Sequence, residues 1–203
     1  MRLLVDSDVF CKLGIGNLLS DALEALDASV SDCGRLPALP HMLRKGKLTR
    51  VYGAEACASL VPLAEQMQTI PAADTTWLDP LSSVEAIDPG EAQLFAIAAR
   101  NNVSLITGDK RALRALKGIN GYAETLAGRI VVLEAILIAL CNRLGHSEVR
   151  RRLGSLTTTD KTLMICFSEG NLDPRSALAA YYRSLVAEVN PLLLWEPPTG
   201  GMA

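Results

Sequence analysis

Histidine is nearly missing from this chain of 203 residues: only His41 and His146 occur, which excludes a metal centre built on several imidazoles. Cysteine occurs five times, at positions 11, 33, 57, 141 and 166, widely scattered and without a Cys-x-x-Cys pair. That pattern suggests neither a disulfide framework nor a zinc site. Aromatic residues make up 4% of the chain, and its most lipid-like stretch, IVVLEAILIAL (130 to 140), is about half a membrane span and carries Glu134. The first apolar run stops at Asp6, too early for the core of a signal peptide, so the expected setting is soluble, reducing and cytoplasmic, with no membrane partner. Positive charge is not in excess either. The formal charge is −2, and a case for nucleic acid has to come from local clusters: RKGKLTR (44 to 50), DKRALRALK (109 to 117) and RRR (150 to 152).

What the chain has in quantity is apolar surface, 49% of its residues, enough for one sizeable core. Short apolar runs alternate with longer Ala- and Leu-rich periodic stretches, which predicts a helix-heavy α/β domain. LLVDSDVF (3 to 10) predicts a buried strand that runs straight into Asp6 and Asp8. GNLLSDALEALDA (16 to 28) spaces Leu19, Leu23 and Leu26 as a helix does, whereas RLPALPHML (35 to 43), with two prolines, reads as an extended connector. A helix over 53 to 68 and a loop over 71 to 83 follow. In DPGEAQLFAIAARNN (88 to 102), Asp88, Pro89 and Glu91 have the layout of a capping box and predict a helix from about 89 to 101. VSLIT (103 to 107) reads as a compact strand, and another helix starts near Asp109. Beyond residue 120 the pattern predicts helices over 122 to 143, 146 to 153, 160 to 169 and 173 to 189, then a fraying tail, EPPTGGMA. The expected organisation is a domain over 1–120 with a helical extension, 121–203, packed on it.

A helix followed tightly by a strand runs antiparallel to it, so Glu91 and Asp109 are expected at one edge of the sheet. Asp6 joins them if the two strands are parallel, and Asp8 is close enough to take part. Carboxylates gathered in one cleft repel each other and, uncompensated, take up protons. A hard divalent cation, Mg²⁺ or Mn²⁺, is the natural compensation, and the chemistry expected is phosphoryl transfer. Lys110, Arg114 and Lys117, spaced i, i+4, i+7, share one helix face and are expected to grip the phosphates of a polyanionic substrate. Each acid also has a structural role open to it: Glu91 as capping-box partner, Asp109 and Asp8 as helix caps.

In type and order, LLVDSDVF, DPGEAQLFAIAARNN and VSLITGDKRAL resemble the PIN domain, over about residues 1–117. The resemblance implies a PIN-like three-layer α/β/α sandwich with a central parallel sheet, a Mg²⁺ or Mn²⁺ site, and cleavage of single-stranded RNA. Asp6 matches the acid at the end of the first strand, Glu91 the acid at a helix start and Asp109 the acid after a later strand. Many members are toxins of toxin–antitoxin pairs, so an antitoxin or other protein partner and self-association are left open. One departure is plain: a further Glu expected on a helix of the first half has no match, since Glu55 and Glu65 lack the local pattern and LPALPHML offers only His41.

Two other readings fit part of the text. A PIN-like module could bind RNA or protein without cutting, with AYYRSLV (180 to 186) as a contact face. LLVDSDV and SLITGD also resemble the first two motifs of haloacid dehalogenase-like phosphatases. Asp6 would then be the nucleophile, Asp8 the acid/base and Thr107 the phosphate binder. That reading lacks a later strand ending in paired acids, TTTDKT (157 to 162) offering Asp160 alone.

Overall fold

The computed structural model describes residues 1–156, 160–168 and 170–198. β1 (Leu3–Val5) is apolar throughout and wholly buried, as predicted. It passes directly into α1 (Ser7–Ile15) because Asp6 is extended and its side chain accepts the Asp8 N–H as an N-cap. α2 (Leu19–Glu24), β2 (Cys33–Arg35), α3 (Leu39–Arg44), α4 (Lys47–Tyr52), α5 (Ala54–Gln66) and β3 (Gln68–Thr69) follow. α6 (Thr75–Ser82) and α7 (Pro89–Asn101) lead to β4 (Ser104–Thr107), then α8 (Lys110–Leu116), α9 (Tyr122–Thr125) and β5 (Ile130–Val132). α10 (Leu133–Leu144), α11 (His146–Leu153), α12 (Lys161–Cys166) and α13 (Pro174–Val189) complete the chain.

The strands form one sheet in the order β3-β2-β1-β4-β5, every neighbouring pair parallel. Parallel sheets need cover on both faces, and the alternation of side chains along each strand supplies two cores. Leu3 and Val5 point to one, with Ile106, Val131, Phe10 and Leu137. Leu4 points to the other, with Leu105, Ile130, Val132, Phe95 and Leu113. Helices therefore cover both sides of a central sheet. All five cysteines are buried and free, and among the described residues no helix is long and apolar enough to cross a membrane.

Several local expectations need correction. The helix expected over 16 to 28 is preceded by α1 and is shorter, α2 stopping at Glu24. The connector over 35 to 43 contains α3, since Pro40 falls in its first turn, where a missing N–H costs nothing. The loop over 71 to 83 contains α6, capped by Asp74, whose side chain accepts the Thr76 N–H. The long helix over 122 to 143 is divided: Gly128, at φ +71, turns the chain, and the β-branched run Ile130–Val132 joins the sheet as β5 before α10 begins. Periodicity cannot separate such an apolar run from a buried helix. The segment after residue 120 is thus not purely helical, and Leu194 adds a further parallel bridge to Ile130. Thr157–Thr159, Glu169 and the last five residues of the expected tail lie outside the described residues.

Gly53 joins α4 to α5 at φ +88 and ψ 145, a region open to glycine and strained for any residue with a Cβ. An added Cβ would meet nothing within 4 Å, so the cost of Gly53→Ala is that of the backbone alone. Denaturation in urea is expected to show a loss of about 1–2 kcal/mol.

Candidate functional site

From β1 the chain moves outward to β2 and β3, then crosses back to β4 on the other side of β1. The order reverses between β1 and β4, and such switch points open a crevice at the carboxyl ends of the strands. A cleft of about 760 Å³ lies there, and Asp6, Asp8, Glu91 and Asp109 all line it. Acids from residues 6 to 109 of the chain are therefore brought to one rim.

Each is placed by the start of its helix. Asp6 Oδ2 accepts the Asp8 N–H at 3.2 Å. Glu91 and Asp88 form a reciprocal capping box: Glu91 Oε2 accepts the Asp88 N–H at 2.8 Å, and Asp88 Oδ1 accepts the Glu91 N–H at 2.8 Å. Asp109 Oδ1 caps α8 by accepting the N–H groups of Arg111 at 2.8 Å and Ala112 at 2.9 Å. Capping roles and convergence on the cleft thus coexist. The capping bonds use Oε2 of Glu91 and Oδ1 of Asp109, leaving Oε1 and Oδ2 as their second oxygens.

Electrostatics divide these acids. Burial, aided by the charge on Asp8, pushes the Asp6 carboxyl up to about 6, against the pull of the backbone N–H groups around it. Burial also raises Glu91, and its hydrogen bond with Asp109 adds to this. Asp109 is half-buried, which works against its charge, yet the Ala112 N–H and the Glu91 carboxyl hold it below the ordinary carboxylate range. The two carboxyls are pushed in opposite directions, Glu91 toward its protonated form and Asp109 toward its ionised one.

Asp8 is engaged differently. The Tyr52 hydroxyl donates to its Oδ1, and Lys12 Nζ lies 2.7 Å from its Oδ2. The same ammonium reaches Asp160 Oδ2 at 2.5 Å, so the segment after α11 is tied to α1 beneath the cleft. Lys12 is buried, which works against its charge, but Asp8 and Asp160 outweigh that and raise its pKa. Thr107 is buried and its Oγ1 accepts the Asp109 N–H at 3.3 Å, so it steadies the turn into α8.

Lys110, Arg114 and Lys117 do not line the cleft. Lys110 Nζ pairs with Glu134 at 2.5 Å, donates to Thr162 Oγ1 at 3.2 Å and stands over the Tyr181 ring. Arg114 pairs with Glu188 at 2.5 Å and Lys117 donates to the Glu188 carbonyl at 2.5 Å. Their shared face docks α8 onto α13 and α10. Glu65 pairs with Arg44 and Glu55 is exposed on α5, neither among the cleft residues. Where a further acid was looked for, the cleft has the apolar wall of Leu36, Pro37, Ala38 and Met42.

Among the described residues, no three His, Cys, Asp or Glu side chains form a ready-made metal cage. The donors suit a hard cation in kind, since every acid at the rim offers oxygen. Ser7 also lines the cleft, and its Oγ is shut off from solvent without a hydrogen-bond partner. Sequence reasoning passed over Ser7, Lys12 and Tyr52, while Lys47 was noticed only as part of the RKGKLTR cluster. The Asp8–Lys12 spacing of i, i+4 was a usable signal for one of them; nothing local marked Tyr52.

The raised Asp6 carboxyl has a consequence for the metal-free protein. Its folded-state pKa exceeds the unfolded one, so the molecule loses stability as pH rises from about 4 to about 6, where Asp6 ionises only at a cost. The full shift would be worth about 3 kcal/mol, and partial solvent access lowers that to roughly 1–2 kcal/mol. Asp6→Asn keeps an acceptor for the Asp8 N–H and removes the charge. In chelator at pH 8 it is expected to melt higher than wild type, the gain vanishing near pH 4.

Comparison with protein-family models, curated proteins and solved structures returns no match, so the chemistry of the cleft rests on its own geometry.

Proposed function

We propose that the chain is a PIN-like, metal-dependent endoribonuclease that hydrolyses phosphodiester bonds in single-stranded RNA. One observation carries the reading: Asp6, Glu91 and Asp109, from three distant elements, line a single cleft at the switch point of an all-parallel sheet. Mg²⁺ or Mn²⁺ bound there would supply Lewis-acid polarisation of the phosphodiester and a more acidic water. Asp6 and Asp109 are the residues to hold the cation, each already fixed by backbone N–H groups at its helix start. Glu91, raised by burial and lining the same cleft as Asp109, is the acid suited to hold or release a proton beside the reacting phosphate. The Asp8–Lys12–Asp160 link ties the start of α1, beside the site, to the start of α12. With purified protein, a labelled single-stranded RNA is expected to be cut in Mg²⁺ or Mn²⁺ and left intact in excess chelator. Cleavage unaffected by chelator would overturn the proposal.

The lack of a ready-made three-ligand cage among the described residues favours a second reading, a PIN-like module that binds RNA or a protein partner without cutting. It differs in one outcome: RNA would be retained and never shortened, at any metal concentration.

A further inference from the structure

The structure sorts the basic clusters by whether their charge is already used. On α8, Lys110, Arg114 and Lys117 are committed to α10 and α13. In the triple-arginine run, Arg151 and Arg152 pair with Glu148, Arg152 also with Asp21, and Arg150 donates to the Asn171 carbonyl. The remaining cluster, RKGKLTR, spans the α3–α4 turn with four cations and no acid. Arg44 is tied to Glu65 at 2.5 Å. Lys45, Lys47 and Arg50 are exposed, and among the described residues none has an acidic partner; Arg50 only donates to the Gly46 carbonyl at 3.4 Å.

This turn borders the acidic cleft. Lys47 lines the cleft, as does Val51 one turn later, which is 43% exposed although apolar. Met42 and Leu36 also line the cleft and continue its apolar wall. A volume of about 760 Å³ exceeds what three carboxylates and an ion need and falls within the range of small-molecule sites. The cleft lining combines acids, an apolar wall and Lys47, with Lys45 and Arg50 on the same turn, the three environments that a scissile phosphate with its ion, an unpaired base and the flanking phosphates require.

We infer that single-stranded RNA lies across the α3–α4 turn, its phosphates on Lys45, Lys47 and Arg50 and one unpaired base in the recess between Met42 and Val51. This inference rests on the nuclease reading of the acids and adds the path of the substrate and the residues that hold it. A duplex keeps its bases stacked and paired and gains nothing from the recess. The opposite signs of the α3–α4 turn and the acidic end also set how the strand approaches: the turn holds the backbone while the acids stay attractive only to a cation-bridged phosphate.

Binding of a fluorescein-labelled 12-nucleotide RNA to full-length Asp109→Asn, followed by anisotropy from 50 to 300 mM KCl, tests this without cleavage. Three phosphate contacts on a single strand give a slope of log affinity against log salt of about −2. Combining Lys45→Gln, Lys47→Gln and Arg50→Gln is expected to bring the slope near zero. Arg143→Gln, Arg151→Gln and Arg175→Gln, removing as much charge elsewhere, should leave it unchanged. The single strand is expected to bind at least tenfold tighter than the matching duplex, and Val51→Asp, at an exposed position, to abolish that preference. An unchanged slope in the rim variant, an equal loss in the control variant, duplex binding as tight as single strand, or no binding at all would overturn the inference. RNA held by the rim but never cut by the wild type in Mg²⁺ would sink the nuclease reading and leave this one standing. RNA cut by wild type, with a slope indifferent to the rim, would do the reverse.

Discussion

Asp109→Asn is expected to lose RNA cleavage about a thousandfold while its melting temperature stays within a few degrees of wild type. The two halves of that outcome come from different atoms. Asn keeps an acceptor for the Arg111 and Ala112 N–H groups that Asp109 Oδ1 now receives, so the start of α8 is preserved, Asn being as good an N-cap as Asp. What disappears is the charge. Asp109 is the acid at the rim held ionised, below the ordinary carboxylate range, while burial pushes Asp6 and Glu91 toward the protonated form. A cation therefore loses its best anionic anchor, and a loss of several kcal/mol in transition-state stabilisation corresponds to roughly three decades in rate. Unchanged turnover in the purified, folded variant would remove Asp109 from the chemistry.

Phe95→Ala is expected to act in the opposite sense, lowering stability by about 3–5 kcal/mol with little change in turnover per folded molecule at low temperature. Phe95 is among the largest fully buried side chains and packs in the core shared by Leu4, Leu105 and Leu113. Removing its ring leaves a cavity bounded by sheet and helices that can collapse only partly. Phe95 also lies one turn after Glu91 on α7, so it anchors the helix whose start forms the cleft wall. Chemical denaturation reads the loss; a cost below 1 kcal/mol would mean that this core is far more plastic than its burial indicates.

How much of this was legible depended on the range of the interaction. LLVDSD and the capping box of DPGE are local signals, and they mark β1, the start of α7 and the cleft-lining positions of Asp6, Asp8 and Glu91. Asp6 hid its role as an N-cap, because a strand that turns into a helix within one residue leaves no loop to betray the change. β2 and β3, three and two residues long, are too short for any periodicity to register, and Gln68 and Thr69 are exposed on top of that. The helical spacing of Lys110, Arg114 and Lys117 is real, but Glu188, 74 positions beyond Arg114, claims that face. Lys12 and Asp160 lie 148 positions apart. Spacing along one helix shows which side chains share a face and is silent on what the rest of the chain brings against it.

The central claim is that the acids gathered at the β1–β4 switch point exist to hold one divalent cation. Anomalous diffraction from crystals grown in Mn²⁺ tests it most directly. The account predicts a single strong peak in the cleft within about 2.0–2.4 Å of oxygens from Asp6 and Asp109, with Glu91 in the same shell or one water away. A protein that crystallises in millimolar Mn²⁺ with no peak among these carboxylates, or with an ion held elsewhere, would contradict it.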